Sequence, residues 1–326
     1  MSLASRLSYF QRIFAAYVLA GNSQLTFWHE TPEQNCNAPL DRLGEYYMVF
    51  AEKALYAGHF DDAGIPMLDY HGRIGRQYNP IAIAQYGLAH CNVFRRTQHE
   101  ASREKVRRVA DWLVQHLETN PHGVAVWNHH FDWDYRETLR APWYSGLAQG
   151  QGISLLVRAH DMTGDAQYLD AARRAFAAFL HSTAEGGVTF TDPCGHLWIE
   201  EYLVTPPTHI LNGFMWAAWG VRDYFLATGE TQAQDLFARA SATIAANLGH
   251  YDLGFWSLYE QSGTFLPMVA SAFYHQLHIV QLRVMERMTG EAEYGRVAGR
   301  WERYGRSRLG RLRALVYKAV FKVCYY

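Results

Sequence analysis

Apolar and polar positions divide this chain into two kinds of helix. One kind is apolar around most of its circumference and contains small residues such as Gly146 and Gly150, as in 143–162 and 208–227. The other kind carries Arg, Glu, Asp and Gln along one face only, as in 100–117. A helix that is apolar all round is buried, whereas an amphipathic helix lies at a surface. The pattern therefore predicts inner and outer helices that alternate along the chain.

A repeated turn separates the two helices of each predicted pair. Thr163, Thr228 and Thr289 each precede a glycine and an acidic residue, and Thr97 opens a similar turn. The turns recur about every 60–66 residues, which is too long for a short solenoid repeat but fits a helical hairpin followed by a long loop. Glycine is suited to end the first helix, and an acidic residue is suited to begin the second. The repeat therefore predicts a series of helical hairpins.

Hairpins with inner and outer helices close naturally into an α/α toroid, so the predicted fold is mainly α. The connections from one hairpin to the next then lie at one end, at 122–143, 186–207 and 249–268. Their period-two alternation and their Gly or Pro boundaries predict short β-hairpins at the mouth of the toroid. The predicted domains are an N-terminal helix with an irregular aromatic segment at 1–78, the toroid at 79–308 and a basic C-terminal helix at 309–326.

Composition indicates a globular protein and excludes several other classes. The chain has 326 residues, of which 49% are hydrophobic and 19% charged, and its formal net charge is −1. So small a charge attracts no nucleic acid, and no segment has the roughly 18–20 apolar residues of a transmembrane helix. The apolar run in 1–21 is interrupted by Gln11 and Arg12, which is untypical of a signal peptide. With four cysteines and no CxxC spacing, we expect free thiols and a cytoplasmic location.

The stretch 196–215, HLWIEEYLVTPPTHILNGFM, is the first candidate for chemistry. If 196–202 is extended, Trp198, Glu200 and Tyr202 point to one side and Glu201 to the other. One carboxylate then lies among apolar neighbours, where desolvation raises its pKa towards the range useful for proton transfer. The alternative is a β-hairpin with one exposed and one paired glutamate.

An ordered set of motifs resembles a known family. The set consists of YNPIAIAQYGLAH (78–90), WYSGLAQGQGISLLVRA (143–159), WIEEY (198–202), ILNGFM (210–215), YDLGFWSLY (251–259) and YHQLHIVQL (274–282). Together they resemble the catalytic C-terminal domain of the heparan sulfate/heparosan D-glucuronyl C5-epimerases. The resemblance implies an α/α toroid and the inversion of D-glucuronic to L-iduronic acid at C5 within a polymer. It also implies four catalytic residues, which match Glu201, Tyr202, Tyr259 and Tyr274.

Two departures from the family concern the substrate. The animal enzymes carry a β-rich domain between the segment matched by 78–90 and the toroid, and here only about one helix separates the two. The family also has an arginine shortly after its third catalytic residue, whereas Tyr259 is followed here by Glu260, Gln261, Ser262 and Gly263. A different uronate-containing glycan is therefore an alternative substrate.

The chemistry implied by the resemblance needs one proton-transfer group on each face of the sugar ring. We interpret Glu201, assisted by Tyr202, as the group on one face, and Tyr259 or Tyr274 as the group on the other. The enzyme must also neutralise the substrate carboxylate as charge develops on it. Candidate substrate-binding residues are Tyr144, Gln149, Gln151, Trp198, Glu200, Asn212, His275 and His278. The glutamines, Asn212 and the histidines could instead satisfy buried polar groups.

No cofactor and no metal are expected. The chain has sixteen histidines but no HExxH motif, and the pairs His129–His130 and His275–His278 are interpreted as structural. Three other functions stay open: a polysaccharide lyase that removes the same proton, a glycoside hydrolase that pairs a glutamate with Asp132 or Asp134, and a non-catalytic glycan-binding protein.

The C-terminal segment carries Arg306, Arg308, Arg311, Arg313, Lys318 and Lys322 with almost no acidic partner. It is interpreted as a solvated final helix that packs its apolar side on the toroid. The alternatives are a peripheral anchor on anionic lipid or a tether for an acidic polymer. A homodimer is also left open.

Overall fold

The computed structural model describes residues 27–70 and 72–325. The helix predicted at the start of the chain lies outside these residues. The described helices are α1 (Ala51–Ala54), α2 (Pro80–Thr97), α3 (Glu100–Gln115), α4 (Gly146–Thr163), α5 (Ala166–Phe176), α6 (Leu211–Thr228), α7 (Thr231–Asn247), α8 (Ala272–Thr289), α9 (Ala292–Arg306) and α10 (Arg308–Tyr325). None of them combines the length and the hydropathy needed to cross a membrane.

Short antiparallel strands occupy the connections between the hairpins. They are β1 (His59–Phe60), β2 (Pro66–Asp69), β3 (Arg76–Gln77), β4 (Glu118–Thr119), β5 (Ala125–Val126), β6 (Trp133–Asp134), β7 (Thr138–Leu139), β8 (Thr189–Thr191) and β9 (Leu197–Ile199). They form one three-stranded sheet, β1–β2–β3, and three hairpins, β4–β5, β6–β7 and β8–β9. The hairpins predicted at 122–143 and 186–207 are present. The hairpin predicted at 249–268 is wrong, because that connection has only isolated bridges.

The chain forms two compact units. Among the described residues, the larger unit comprises 35–70, 72–209 and 213–243, and the smaller unit comprises 27–34, 210–212 and 244–325. The larger unit contains the hairpins α2–α3 and α4–α5 and all the strand pairs. The smaller unit contains the hairpin α8–α9 and the final helix α10.

The repeated threonine turn has one atomic structure. The hydroxyls of Thr163, Thr228 and Thr289 donate to carbonyls four residues earlier, at 2.7, 2.9 and 2.8 Å. Each hydroxyl also accepts from the backbone N–H two residues later, at 3.2 Å. The intervening glycines have φ of 73°, 71° and 73°, in the left-handed region where a side chain is unfavourable. The turn after Thr97 has the same hydroxyl bonds but uses Gln98 at φ 55°.

The prediction of inner and outer helices is confirmed for α4 and α5. All residues of α4 from Gly146 to Ala159 are buried, whereas α5 buries one face only. Ser145 caps α4 by accepting from the N–H of Ala148. The burial of α4 therefore follows from its sequence pattern, and its N-cap is serine, a residue type that is favoured at this position.

Two inner helices of the larger unit meet with their backbones in contact. A Cβ at Gly150 on α4 would lie 2.5 Å from the Cα of Ala217 on α6, and one at Gly220 would lie 2.2 Å from the carbonyl oxygen of Gly150. Further along, Arg158 of α4 pairs with Asp223 of α6. The contacts move from Gly150 to Arg158 on α4 as they move from Ala217 to Asp223 on α6, so the two helices run parallel.

The pair formed by Arg158 and Asp223 is fully enclosed. Its side chains are 1% and 0% exposed, and the closest N–O distance is 2.6 Å. The guanidinium also donates to the carbonyls of Gly44 and Ser154, and the Tyr47 hydroxyl donates to Asp223 at 2.6 Å. Burial and the Asp223 carboxylate raise the pKa of Tyr47 far above its usual range, so its hydroxyl stays a donor.

We expect Asp223→Asn to destabilise the protein by about 3–5 kcal/mol, because it leaves a buried guanidinium without its counter-charge. The measurement is urea unfolding. Asp161→Asn is the control, since Asp161 pairs with Arg95 at the surface and should lose at most about 1 kcal/mol. Equal losses for the two variants would contradict the importance of the buried pair.

Candidate active site

The two glutamates of WIEEY follow directly after β9. This strand pairs with β8 in the register Thr189↔Ile199, and it ends at Ile199, so the strand alternation stops before Glu200. Glu200 and Glu201 are 1% and 5% exposed. The prediction that the two carboxylates lie on opposite sides of a strand is therefore wrong, and so is the alternative with one glutamate exposed. The chain leaves its extended conformation here, and both side chains turn inward.

Glu200 is bound within the protein. Its carboxylate accepts from the backbone N–H of His209 at 3.1 Å and lies 2.5 Å from the Nδ1 of the same residue. The His209 ring stacks on Trp198 with centroids 3.9 Å apart, and the Trp198 indole donates to Asp192 at 3.0 Å. Trp198 is 2% exposed. Glu200 and Trp198 thus have contacts within the protein, and their role as substrate-binding residues stays a prediction.

Glu201 packs on the first turn of α6. A Cβ at Gly213 would lie 2.1 Å from Oε2 of Glu201 and 2.8 Å from its Cβ, so only glycine leaves room for this carboxylate. The helix begins at Leu211. The N-terminus of a helix carries partial positive charge, which interacts favourably with a carboxylate there. Glu201 is therefore a buried acidic group held between its own loop and a helix start.

Tyr202 belongs to a wall of aromatic side chains. Its ring lies 4.6 Å from Tyr135 and 5.7 Å from Trp143, which in turn stacks on His129 at 3.9 Å. Tyr135, Trp143 and Tyr202 are half-buried, and flat apolar faces of this kind suit sugar rings. Sequence reasoning missed Tyr135 and Trp143 as site residues, although the aromatic content of 122–143 was a signal for them.

Tyr144 and the two glutamines of α4 use their polar groups within the larger unit. The Tyr144 hydroxyl donates to the carbonyl of Gly186 at 2.8 Å, and burial raises its pKa. Gln149 accepts from the N–H of Trp127 and donates to the carbonyls of Ala125 and Ala175.

Gln151 donates to the Tyr46 hydroxyl at 2.5 Å, and both glutamines are 0% exposed. Gln149 bonds to three backbone groups, and its role as a substrate-binding residue stays a prediction. Gln151 and Tyr144 stay predictions, with the contacts described here as their observed environment.

Tyr259 and Tyr274 lie together in the smaller unit. Their ring centroids are 4.8 Å apart at an interplanar angle of 61°. The backbone N–H of Tyr259 donates to Met268 at 2.8 Å, and its carbonyl accepts from the N–H of Leu211. Tyr274 stands in the first turn of α8, which Ser271 caps. The structure therefore brings together the two tyrosines that the motifs singled out 15 positions apart in the chain.

His275 supports this region from within. Its Nδ1 lies 2.8 Å from the Ser257 hydroxyl, its Nε2 lies 3.1 Å from the carbonyl of Trp301, and its ring stacks on Trp256 at 3.8 Å. Burial lowers the pKa of His275 to about 3, so the imidazole is neutral at pH 7. Both ring nitrogens have partners within the protein, and the role of His275 as a substrate ligand stays a prediction.

His278 and Asn212 keep a free polar atom. Among the described residues, His278 Nε2 and Asn212 Oδ1 have no hydrogen-bond partner, and both side chains are buried. Burial lowers the pKa of His278 well below its usual range. The backbone carbonyl of Asn212 accepts from Gln281 at 3.0 Å. Both residues stay predicted substrate ligands. Within 27–70 and 72–325, no three His, Cys, Asp or Glu side chains group as a metal site.

Comparison with known proteins bears on these residues. The family model described as D-glucuronyl C5-epimerase C-terminus matches residues 120–303. The chain belongs to this family. The matched segment is more than half of the chain and contains Glu201, Tyr202, Tyr259 and Tyr274.

Two curated relatives are similar in sequence to part of this chain. A D-glucuronyl C5-epimerase of Caenorhabditis elegans is 28% identical over 228 residues, which cover 64% of this chain and 36% of that protein. An uncharacterized protein of Methanocaldococcus jannaschii is 28% identical over 179 residues, which cover 54% of this chain and 56% of that protein. The chain thus spans only about a third to a half of the length of these relatives.

A solved structure of D-mannose isomerase resembles the fold. It superposes with a TM-score of 0.50 at 10% sequence identity, over 92% of this chain and 68% of that one. This likeness bears on the fold alone. Helices make up 55% of the residues that the structure describes, and the prediction of a mainly α fold of the α/α toroid type is confirmed.

We expect acid to destabilise the protein through His275. Its imidazole has a pKa of about 6.5 in an unfolded chain and about 3 when folded, so the unfolded state binds the proton first. The contribution of neutral His275 is therefore complete above pH 6.5 and is lost as pH falls towards 3. At pH 5 the loss is about 2 kcal/mol.

Urea unfolding at pH 7.5 and pH 5 measures this effect. His275→Gln should show a smaller loss between the two pH values than the wild type. The control is His250→Gln, at an exposed position of the same unit, which should keep the wild-type pH dependence. If both variants kept it, the assignment to His275 would be wrong.

Proposed function

We propose that this protein inverts C5 of D-glucuronic acid residues in an acidic glycan, giving L-iduronic acid. The observation that carries the proposal is the buried Glu201 carboxylate, which Gly213 accommodates inside the segment matched by the family. A carboxylate without exposure to bulk water is suited to take a proton from carbon, because its own hydration does not have to be removed during the reaction. The three tyrosines supply further proton-transfer groups.

The reaction needs two proton transfers at one carbon. Glu201, assisted by Tyr202, takes the C5 proton from one face of the ring, and the electron pair of the C–H bond moves into the carboxylate as an enediolate-like anion. Tyr259 or Tyr274 then donates a proton to C5 from the opposite face, and the electron pair returns to carbon. A phenol with a pKa near 10 donates readily to such a carbanion. No net proton is gained or lost.

The anion that forms must be stabilised by donors. An arginine follows the third catalytic residue elsewhere in the family, and Glu260-Gln261 stands at that point here. A hydrogen bond from the Nε2–H of neutral His278 would then replace a cation, and Asn212 Oδ1 is the proposed acceptor for a hydroxyl of the sugar ring. The half-buried rings of Tyr135 and Trp143 supply a stacking surface for a neighbouring sugar. The proposed substrate class is therefore a uronate-containing glycan, and the proposed reaction uses no cofactor.

Solvent exchange tests the reaction. The protein is incubated with heparosan and with other uronate polymers in deuterated water, and C5 is observed by NMR. We expect deuterium at C5 together with iduronate signals. An unsaturated uronate, absorbing near 235 nm, would indicate a lyase, new reducing ends would indicate a hydrolase, and binding without exchange would indicate a glycan-binding protein. Each of these outcomes would reject the epimerase.

Tyr274→Phe removes one proposed proton donor and leaves the ring in place. We expect kcat for inversion to fall at least about 100-fold, as is typical for loss of general acid–base catalysis, with a thermal unfolding midpoint close to that of the wild type. Tyr304→Phe, a half-buried position on α9, is the control and should keep full activity. Near-normal turnover of Tyr274→Phe would remove this residue from the catalytic set.

Gly213→Ala tests the placement of Glu201. The added methyl would overlap the Glu201 carboxylate and its Cβ, so the side chain must move. A displacement of about 1 Å can cost about 100-fold in rate, and we expect a loss of that order in kcat. Gly249→Ala is the control, because no atom lies within 4 Å of the position of its added Cβ. Unchanged kcat for Gly213→Ala would show that Glu201 does not act from this position.

A further inference from the structure

The final helix α10 exposes an apolar stripe. Among the described residues, nine large apolar side chains are strongly exposed, and five of them lie on this one helix. They are Leu309, Leu312, Val316, Val320 and Val323, between 46% and 79% exposed. Their spacing of three or four residues puts them on one side of the helix. An outer helix that faces only water has polar residues on that side.

The opposite side of α10 packs inward. Gly310, Ala314 and Phe321 are buried, and Lys318 is 7% exposed and donates to the carbonyl of Val269 at 2.8 Å. The helix is therefore already fixed to the smaller unit by one face. The exposed stripe is not needed for that packing and is available for a second contact.

Positive charge is concentrated around this stripe. Residues 308–326 contain five basic residues and no acidic residue, whereas the whole chain has a formal net charge of −1. On α10 itself, Arg308 and Arg313 are exposed and flank the stripe on either side. Arginine side chains beside an apolar face reach the headgroup region while the face contacts acyl chains.

An apolar groove lies beside the stripe. It has a volume of about 440 Å³. It is lined by Phe255 and Leu266 and, from α10, by Leu312, Arg313, Val316, Tyr317 and Val320. Phe265, next to Leu266, is 95% exposed. The apolar lining of this groove suits an acyl chain, and the guanidinium of Arg313 suits an anionic headgroup.

We propose that α10 and this groove bind the surface of an anionic lipid bilayer, with the helix lying along the surface. Two other occupants fit less well. A second copy of the chain would bring together two helices that carry arginines and lysines and have no acidic residue from 308 to 326. Their like charges would repel, whereas paired helices commonly place opposite charges at their flanks. An acidic glycan would use the arginines but would leave the leucines and valines in water.

Sedimentation with vesicles tests the proposal on the full chain. Vesicles of phosphatidylcholine and phosphatidylglycerol in equal parts are compared with vesicles of phosphatidylcholine alone. We expect at least tenfold stronger binding to the anionic vesicles, because several basic residues near such a surface each contribute about 1 kcal/mol. Binding should weaken as the salt concentration is raised, because salt screens the attraction. Equal binding to both vesicles, or none to either, would reject the proposal.

Two variants separate the apolar and the charged contributions. Leu312→Gln/Val316→Gln/Val323→Gln replaces three of the five stripe residues without touching buried residues, and Arg308→Gln/Arg313→Gln removes the flanking charge. Each should weaken binding to anionic vesicles about tenfold or more. The controls are Leu55→Gln/Leu180→Gln and Arg103→Gln/Arg107→Gln. These positions of the larger unit are exposed, except that Arg103 is half-buried, and the control variants should bind as the wild type does.

The remaining outcomes are decisive as well. Circular dichroism confirms that each variant is folded. If both α10 variants bound vesicles like the wild type, the lipid contact would lie elsewhere on the chain and the proposal would fail. If light scattering showed a dimer that the leucine and valine changes dissociate, with no vesicle binding, the stripe would be a contact between copies. These measurements need no glycan substrate, so they do not depend on the proposed activity.

Discussion

The larger unit depends on the buried ion pair between Arg158 and Asp223. Two charges without access to water are stable only when each has a full set of partners. Here the guanidinium has the Asp223 carboxylate and two backbone carbonyls, and the carboxylate has the guanidinium and the Tyr47 hydroxyl. Sliding one helix along the other would separate these groups. The pair therefore fixes the register of α4 against α6.

The register of α4 against α6 also positions the residues at the N-terminal ends of these helices, where the candidate active site lies. Because α4 and α6 run parallel, their first turns lie at one end. The N–H of Gly146 in α4 donates to the carbonyl of Glu200 at 2.9 Å, and Gly213 in α6 adjoins the Glu201 carboxylate. The position of the glutamates is thus set by two rigid helices more than by their own loop. Preorganisation of this kind is what a proton transfer from carbon needs.

Much of the fold follows from the sequence, because its signals are local. The threonine turns, the glycine ends of the helices and the fully apolar α4 are each decided within a few neighbouring residues, and the structure confirms them. The third connection was less predictable. Alternation in 249–268 does not by itself supply a strand partner, and the segment forms isolated bridges instead. Pairing depends on residues distant in the chain, which a local pattern does not contain.

The candidate site, too, is only partly predictable from the sequence. Motif order points to Glu201, Tyr202, Tyr259 and Tyr274, but it does not show which partners the neighbouring polar residues have. Only the structure shows that Glu200 is bound to His209, that Gln149 is bonded to three backbone groups and that His275 joins Ser257 to Trp301.

Glu200, Gln149 and His275 are buried polar residues, and residues of the same kind line substrate sites. Their partners come from other segments, so the sequence alone has no signal for the difference. The same reasoning explains α10. Its arginines indicated a solvated helix, but the spacing of its leucines and valines places an apolar face on the side that α10 does not use for packing. A helix that is apolar on two opposite sides has two surfaces to cover, and the fold covers one of them.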